Sequence, residues 1–138
     1  MATRHVLQRE ISPADVGIDG AAGNVTTTGS WIGASGFGQA TLLVSYVKTG
    51  VHTPTNITFN IETSSDGGVT AYALQTGSVA AGVATLTDLQ YLKATGGATK
   101  AFVVDLPINY EMFRIKSLAV GSGVLADTLS VTVRLGAI

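Results

Sequence analysis

Hydrophobic and polar residues alternate along most of this chain, a pattern typical of β-strands that bury one face and expose the other. The clearest stretch is 128–135, in which Leu129, Val131, Val133 and Leu135 alternate with polar side chains. Comparable period-two stretches occur at 42–47, 56–62, 102–106 and 112–118. None of them has the period of an amphipathic helix, so the sequence predicts about six to eight short strands.

Glycine-rich turns separate these stretches and indicate antiparallel pairing. The Asp-Gly-Gly turn at 66–68 is the strongest hairpin signal, and it predicts a return strand at 69–76. Residues 77–100 are ambiguous, because 86–92 fits either a strand or one helical turn. As a whole, the pattern predicts an all-β fold: an antiparallel, jelly-roll-like β-sandwich or a small barrel.

The first 38 residues differ in character from residues 39–138. Seven glycines lie between positions 17 and 38 and leave few side chains that could form a core. The sequence therefore predicts an extended N-terminal arm over residues 1–38 and a β-sandwich domain over residues 39–138. Trp31 either caps the core of its own subunit or inserts into a neighbour, and the lack of other anchors in the arm favours the neighbour.

Charge is scarce in this chain. Asp, Glu, Lys and Arg make up 12% of the residues, against about 25% in an average soluble protein. Since a free monomer usually stays soluble and separate through its charge, this composition favours a structural protein covered by other copies or partners. A formal net charge of −1 without a basic run argues against nucleic-acid binding. No stretch is apolar over the ~20 residues that span a bilayer, so no membrane partner is expected.

Candidate catalytic and metal-binding patterns are weak. The chain has no cysteine, and its two histidines, His5 and His52, have no carboxylates at ligand spacing, so both are interpreted as incidental surface residues. Asp15 and Asp19 lack the further oxygen ligands of a calcium loop. Residues 33–37 depart from the nucleophile elbow by a phenylalanine at the last glycine position. The sequence predicts no enzyme, no catalytic or metal-binding residue and no cofactor.

A few charged residues have predicted structural roles. Asp66 is expected to stabilise its own turn by a hydrogen bond from the backbone. Glu62 and Asp105 are expected to pair with Arg114 or Lys116 on neighbouring strands.

Two parts of the chain resemble small virion structural proteins of tailed bacteriophages. The matching residues are 42–75, with Ile-Glu-Thr-Ser-Ser-Asp-Gly-Gly at 61–68 followed by Tyr72, and then 109–115, 121–123 and 129–133. Among these virion proteins, the chain is most similar to capsid decoration (cement) proteins. The resemblance implies a homotrimer that binds the outside of the mature capsid lattice and stabilises it.

The resemblance also implies partners and a location. The expected partners are the major capsid protein and copies of the chain itself, and the expected location is the capsid surface of a virion made in the host cytoplasm. The contacts are expected at apolar residues of the arm, namely Val6, Leu7, Ile11, Val16, Ile18, Trp31 and Phe37. The alternatives are a tail, neck or baseplate structural protein and a carbohydrate- or receptor-binding β-sandwich module.

Overall fold

In the computed structural model, which describes residues 8–21 and 23–136, two antiparallel β-sheets pack face to face. The described elements, in chain order, are β1 (Gln8–Ile11), α1 (Pro13–Val16), β2 (Asp19–Ala21), β3 (Thr27–Thr28), β4 (Ile32–Gly33), β5 (Gln39–Val47), β6 (Asn56–Ser64), β7 (Tyr72–Ala73), β8 (Gln75–Ala80), β9 (Val83–Asp88), β10 (Gln90–Ala94), β11 (Lys100–Pro107), β12 (Met112–Ser117) and β13 (Thr128–Gly136). The predicted all-β antiparallel fold is confirmed. The strands outnumber the predicted six to eight, because short strands also form in regions where no regular alternation is visible.

Sheet A has the strand order β1-β13-β5-β11, and β2 pairs with β13 on the same side as β1. The register places Val131 opposite Val44 and Val133 opposite Leu42. All four side chains are buried, which confirms the inward row predicted for β13. The outward positions of the same strands carry mainly Ser and Thr.

Sheet B has the order β10-β6-β12-β3, with β4 also paired to β12 and β7 also paired to β6. Ile57, Phe59 and Ile61 point inward from β6 and are at most 2% exposed. The Phe59 ring lies 6.4 Å from the ring of Phe102 in sheet A, so aromatic packing joins the two sheets. Burial of each such side chain contributes about 1.5–3 kcal/mol.

Residues 8–38 form part of this sandwich. β1 and β2 extend sheet A beside β13, whereas β3 and β4 extend sheet B beside β12. Between them, Ser12 caps α1 through its hydroxyl, which accepts a hydrogen bond from the Asp15 N–H, and Gly17 ends the helix with a φ of 83°. The expected division into an arm and a separate domain therefore does not describe residues 8–38, and residues 1–7 of the predicted arm lie outside the described residues.

The glycines of this segment permit close packing of the backbone. The Gly29 N–H donates to the Ile115 carbonyl at 2.8 Å. A Cβ on Gly29 would lie only 2.6 Å from the Val16 carbonyl oxygen. Glycine at this position lets two backbone segments approach each other more closely than any side chain would allow.

The ambiguous region resolves into strands. Of the predicted return strand at 69–76, only β7 pairs with β6. The chain then leaves sheet B, forms a hairpin of β8 and β9, and rejoins sheet B as β10. Residues 86–92 are therefore mostly strand, interrupted at Leu89, whose N–H donates to the carbonyl of Leu74 at 2.8 Å.

Candidate interaction surface

A two-stranded hairpin projects from the sandwich between β7 and β10. Its strands β8 and β9 pair with each other and with no other described strand. Every residue from 75 to 88 is exposed. The turn contains Ala81 and Gly82 with φ values of 52° and 76°, the positive values that a two-residue hairpin turn with the favoured twist requires. The sequence analysis left this region unassigned, because Ala and Gly dominate it.

The hairpin is amphipathic even though both of its faces are exposed. The strand register pairs Gly77 with Leu86 and Val79 with Ala84, so these four residues lie on one side of the ribbon. We call Gly77, Val79, Ala84 and Leu86 the apolar face of the hairpin. Thr76, Ser78, Thr85 and Thr87 form the opposite, hydroxyl-bearing side, which continues to Ala80 and Val83 next to the turn.

The apolar face has no partner within the described residues. Val79 is 75% exposed and Leu86 is 64% exposed. An isolated two-stranded hairpin is at best marginally stable in water, and exposed contiguous apolar surface marks interaction sites. The hairpin is therefore a candidate interaction surface.

The outside of sheet A carries a second surface without charge. Two rows run across β11, β5 and β13, the first Val103-Leu43-Thr132 and the second Ala101-Ser45-Ser130. We call these six residues the neutral face. With the backbone between them they line a shallow depression of about 420 Å³. Val103, on the edge strand β11, is 57% exposed.

One edge strand of each sheet carries a lysine, β11 in sheet A and β10 in sheet B. In the part of the chain that the structure describes, β10 and β11 each have one edge without a strand partner. Lys93 of β10 lies opposite Ile57 of β6, and Lys100 of β11 lies opposite Tyr46 of β5. Both lysines therefore occupy positions whose cross-strand neighbours point inward. Inward-pointing lysines on an edge strand oppose pairing with another chain. The faces and the hairpin are consequently better contact surfaces than the edges.

The structure places three of the seven predicted interface residues in the interior. Ile11 is 5% exposed, whereas Val16 and Ile18 are 0% exposed, and all three belong to the core of their own chain. They are buried because β1 and β2 extend sheet A, so they are not available to a capsid or subunit partner. Phe37 is partly buried against the same core. Val6 and Leu7 lie outside the described residues.

Trp31 packs against its own chain. The Arg114 guanidinium carbon lies 4.4 Å from the centroid of the Trp31 ring, a cation–π arrangement. Arg114 also donates from Nε to Glu62 Oε1 at 2.9 Å, which confirms one of the predicted cross-strand pairs. A Cβ on Gly68 would meet Trp31 Nε1 at 2.7 Å, so the indole rests directly on the predicted turn. Trp31 thus packs on its own subunit, where it is half-buried, and its insertion into a neighbour stays a prediction.

Two further acidic residues had predicted roles, Asp66 in its turn and Asp105 in a cross-strand pair. Asp66 Oδ1 accepts from the Thr70 N–H at 2.9 Å and from the Ser64 hydroxyl at 2.7 Å, which confirms its role in the turn. These hydrogen bonds lower the pKa of the Asp66 carboxyl to about 2. Asp105 forms no ion pair with a basic residue of the described ranges, and instead accepts from the Thr41 hydroxyl at 2.8 Å.

A buried polar cluster lies where β5 ends and β13 begins. Four donors converge on the carboxylate of Asp127, whose side chain is 0% exposed. Oδ1 accepts from the Thr49 N–H at 2.7 Å, and Oδ2 accepts from the Val124 N–H at 3.2 Å and from the Tyr46 hydroxyl. His52 Nε2 lies 2.7 Å from Oδ2, where an Nε2–H donates. The cluster joins the loop after β5 to the loop before β13.

The cluster corrects the interpretation of His52 as an incidental surface residue. Its side chain is only 15% exposed because it covers Asp127. Burial by itself would raise the pKa of Asp127, but the hydrogen bonds outweigh burial and lower the pKa to about 2. Burial and the hydrogen bond to Asp127 raise the pKa of Tyr46 well above its usual value. The sequence contains one sign of this cluster, because Asp127 is the single charged residue in the glycine-containing loop at 119–127.

Two further observations concern the residues that the structure describes. They contain no group of three or more His, Cys, Asp or Glu placed to hold a metal ion. They also include no helix with the length and apolar character needed to cross a membrane. His5 lies outside them.

Comparison with known proteins gives a likeness of fold. No protein-family model matches the sequence, and no curated protein is similar to it. The crystal structure of the SPBc2 prophage-derived protein YomS is similar to this chain at a TM-score of 0.55 and 13% sequence identity, over 99% of each chain. The chain therefore shares its fold with a protein of prophage origin.

Proposed function

We propose that this chain is a structural protein of a bacteriophage virion, and specifically a decoration protein that binds the mature capsid and stabilises it. The observation that carries the proposal is the exposed amphipathic hairpin. Fourteen consecutive exposed residues with an uncovered apolar face suit a protein whose function is contact with other proteins.

Two other observations support a structural role. The fold is shared with a prophage-derived protein, and the scarcity of charge suits broad protein contacts in which buried charge would cost desolvation. The proposed function requires no catalytic residue, metal or cofactor.

The proposed mechanism is thermodynamic. A protein that binds the assembled shell better than its separated subunits stabilises the shell by mass action. On one lattice, the modest contacts of many copies add up to strong binding. This is because a bound copy holds its contact surfaces at a high effective concentration next to its neighbours. The partners are the major capsid protein and other copies of the chain.

The arrangement of aromatic residues argues against the carbohydrate-binding alternative. Sugar-binding sandwiches present aromatic rings to solvent, but Tyr72 is the one aromatic residue among the exposed large hydrophobic residues in the described ranges. Trp31 is covered by Arg114.

The test is the composition of particles produced by the genome that encodes the chain. Purified particles would be analysed by quantitative mass spectrometry and electron microscopy with a gold-labelled antibody. Label over the head at a copy number proportional to the capsid protein supports decoration. Label confined to the tail, neck or baseplate replaces decoration with the alternative structural role, and the absence of the chain from particles refutes the proposal.

A further inference from the structure

We propose that a cavity between the two sheets, at the root of the hairpin, binds one apolar ring of about the size of benzene, and that the bound ring stiffens the hairpin. The cavity has a volume of about 180 Å³. Residues of β6, β10, β11 and β12 line it, together with the residues that flank the hairpin. This inference goes beyond the proposed function, because it concerns a ligand site inside the sandwich and not a contact with the capsid.

The floor of the cavity belongs to the hydrophobic core. Ile61, Leu106, Ile108 and Phe113 line it and are each at most 4% exposed. No charged side chain is among the lining residues. Apolar walls of this kind offer a water molecule few of the two to four polar partners that it needs, so they favour an apolar ligand over water.

The size of the cavity indicates which ligand fits. A cavity of about 150 Å³ lined by Leu, Ile and Phe side chains stays dry and binds benzene. The present cavity is slightly larger and has the same kind of lining. One six-membered ring therefore fits, whereas the drug-sized ligands of ordinary pockets require about 300 Å³ or more.

The rim of the cavity is less buried and gives a ligand access. Leu74, Leu89, Tyr91 and Tyr110 line the cavity and are half-buried. The two tyrosine hydroxyls are the polar side-chain groups of the lining. Burial raises the pKa of Tyr91, and the nearby Tyr110 adds to this rise. The ligand can thus carry one polar group towards the rim, but its ring must be apolar.

The cavity is connected to the hairpin through two leucines. Leu74 directly precedes β8 and Leu89 directly follows β9, so both ends of the hairpin contribute a cavity wall. The Leu89 N–H donates to the Leu74 carbonyl at 2.8 Å, and the Leu74 N–H donates to the Ile61 carbonyl at 2.9 Å. These bonds hold the wall in place before a ligand arrives. A ring that contacts both leucines joins the hairpin to the core.

Titration of the full chain with benzene, followed by NMR, tests the site. Saturable shifts are expected at the lining residues, with a dissociation constant on the order of 1 mM or tighter. Amide hydrogen exchange is the second readout. If opening of the hairpin root releases the ring, exchange in β8 and β9 should slow by about tenfold at a benzene concentration ten times the dissociation constant.

A pair of matched variants locates the site. Leu89→Phe adds atoms at the rim and is expected to weaken benzene binding by about tenfold or more, because the new side chain fills the cavity. Leu86→Phe is the control, since Leu86 is 64% exposed and does not line the cavity, and it should bind benzene as the wild type does. Circular dichroism checks that both variants are folded. If Leu89→Phe fails to fold, the positions of the shifted resonances in the wild type decide.

Comparison of benzene with N-acetylphenylalanine amide identifies the source of the ring. Tighter binding of benzene supports a free small molecule, and tighter binding of the amide supports an aromatic side chain that another protein inserts.

Three results would overturn the inference. One is the absence of saturable shifts up to the solubility limit of benzene. Another is a set of shifts centred away from the lining residues, or a folded Leu89→Phe protein that binds benzene as well as the wild type. The third is unchanged amide exchange in β8 and β9 at saturation, which would show that the site is not coupled to the hairpin. None of these results depends on whether the chain is found in virions.

Discussion

Substitution of Asp127 by Asn removes a buried charge while keeping the shape of the side chain. The carboxylate accepts hydrogen bonds on both oxygens, whereas an amide offers one acceptor and one NH₂ donor. Placing the NH₂ at the Oδ2 position would set it against the Val124 N–H and the His52 Nε2–H. The less costly orientation places it at Oδ1, where only the Thr49 N–H loses its acceptor.

The magnitude follows from these contacts. A buried donor left without an acceptor costs about 1–3 kcal/mol, and hydrogen bonds to a charged acceptor are worth about 1.5–3 kcal/mol each. Loss of one bond and weakening of the others predicts a free energy of unfolding lower by about 2–4 kcal/mol for Asp127→Asn. Asp127→Ala leaves all four donors without their acceptor and is expected to cost more.

The pH dependence supplies an independent check. The pKa of Asp127 falls from 3.8 to about 2 on folding. A carboxyl with a lowered pKa stabilises the fold above its unfolded pKa, and this contribution is lost as the pH falls from about 4 to about 2. The stability difference between wild type and Asp127→Asn should therefore shrink by about 2 kcal/mol over this window. Asp66 titrates in both proteins and cancels in the difference.

The assay is urea unfolding followed by circular dichroism at several pH values between 2 and 7. Asp19→Asn provides the control, because Asp19 is exposed and makes a single 3.3 Å hydrogen bond, to the Ser130 hydroxyl. A loss below about 0.5 kcal/mol for Asp127→Asn at neutral pH, the range usual for exposed surface substitutions, would refute the reasoning. So would a stability difference that stays constant with pH.

Three further substitutions test other parts of the fold. Gly29→Ala should lower the free energy of unfolding by about 2–3 kcal/mol, because its Cβ would lie 2.6 Å from a carbonyl oxygen. The Cβ of Gly33→Ala would meet no atom within 4 Å, so this substitution should be tolerated. Equal effects of the two substitutions in urea unfolding would contradict this prediction. Ala81→Asn should stabilise the hairpin by about 1 kcal/mol, since Asn tolerates a positive φ better than Ala, and unchanged amide hydrogen exchange in β8 and β9 would count against it. Arg114→Ala uncovers Trp31, the single tryptophan, so its fluorescence should shift to longer wavelength; an unmoved emission maximum would show that the contact is absent in solution.

The strands that alternate regularly could be predicted from the sequence, because burial of one face fixes the period of the side chains. β13 and the inward row of β6 follow the predicted pattern residue by residue. The turn at Asp66 was predictable for a similar reason, since Asp and Gly meet local backbone requirements that do not depend on the rest of the fold.

The N-terminal segment could not be predicted in this way. Its glycines can mean either a flexible backbone or a backbone held against a neighbour, and only the tertiary structure distinguishes these meanings. Gly29 belongs to the second kind, because it lies between Val16 and Ile115. The arm was predicted over residues 1–38, whereas the element that projects from the sandwich in the described structure lies at 75–88.

The polar cluster escaped prediction because its members are far apart in the chain. Tyr46 and Asp127 are separated by 81 positions, and neither belongs to a local motif. Their juxtaposition depends on the register of β5 against β13, which long-range pairing sets.

The separation of the hairpin from the core has a consequence for evolution. Since residues 75–88 bury nothing in the sandwich, substitutions there escape the stability constraints that restrict Leu42 or Val131. The hairpin can therefore diverge quickly and acquire a new partner while the sandwich remains unchanged. Among homologues we expect its sequence and length to vary most, and a hairpin grafted from one homologue should transfer that homologue's choice of partner.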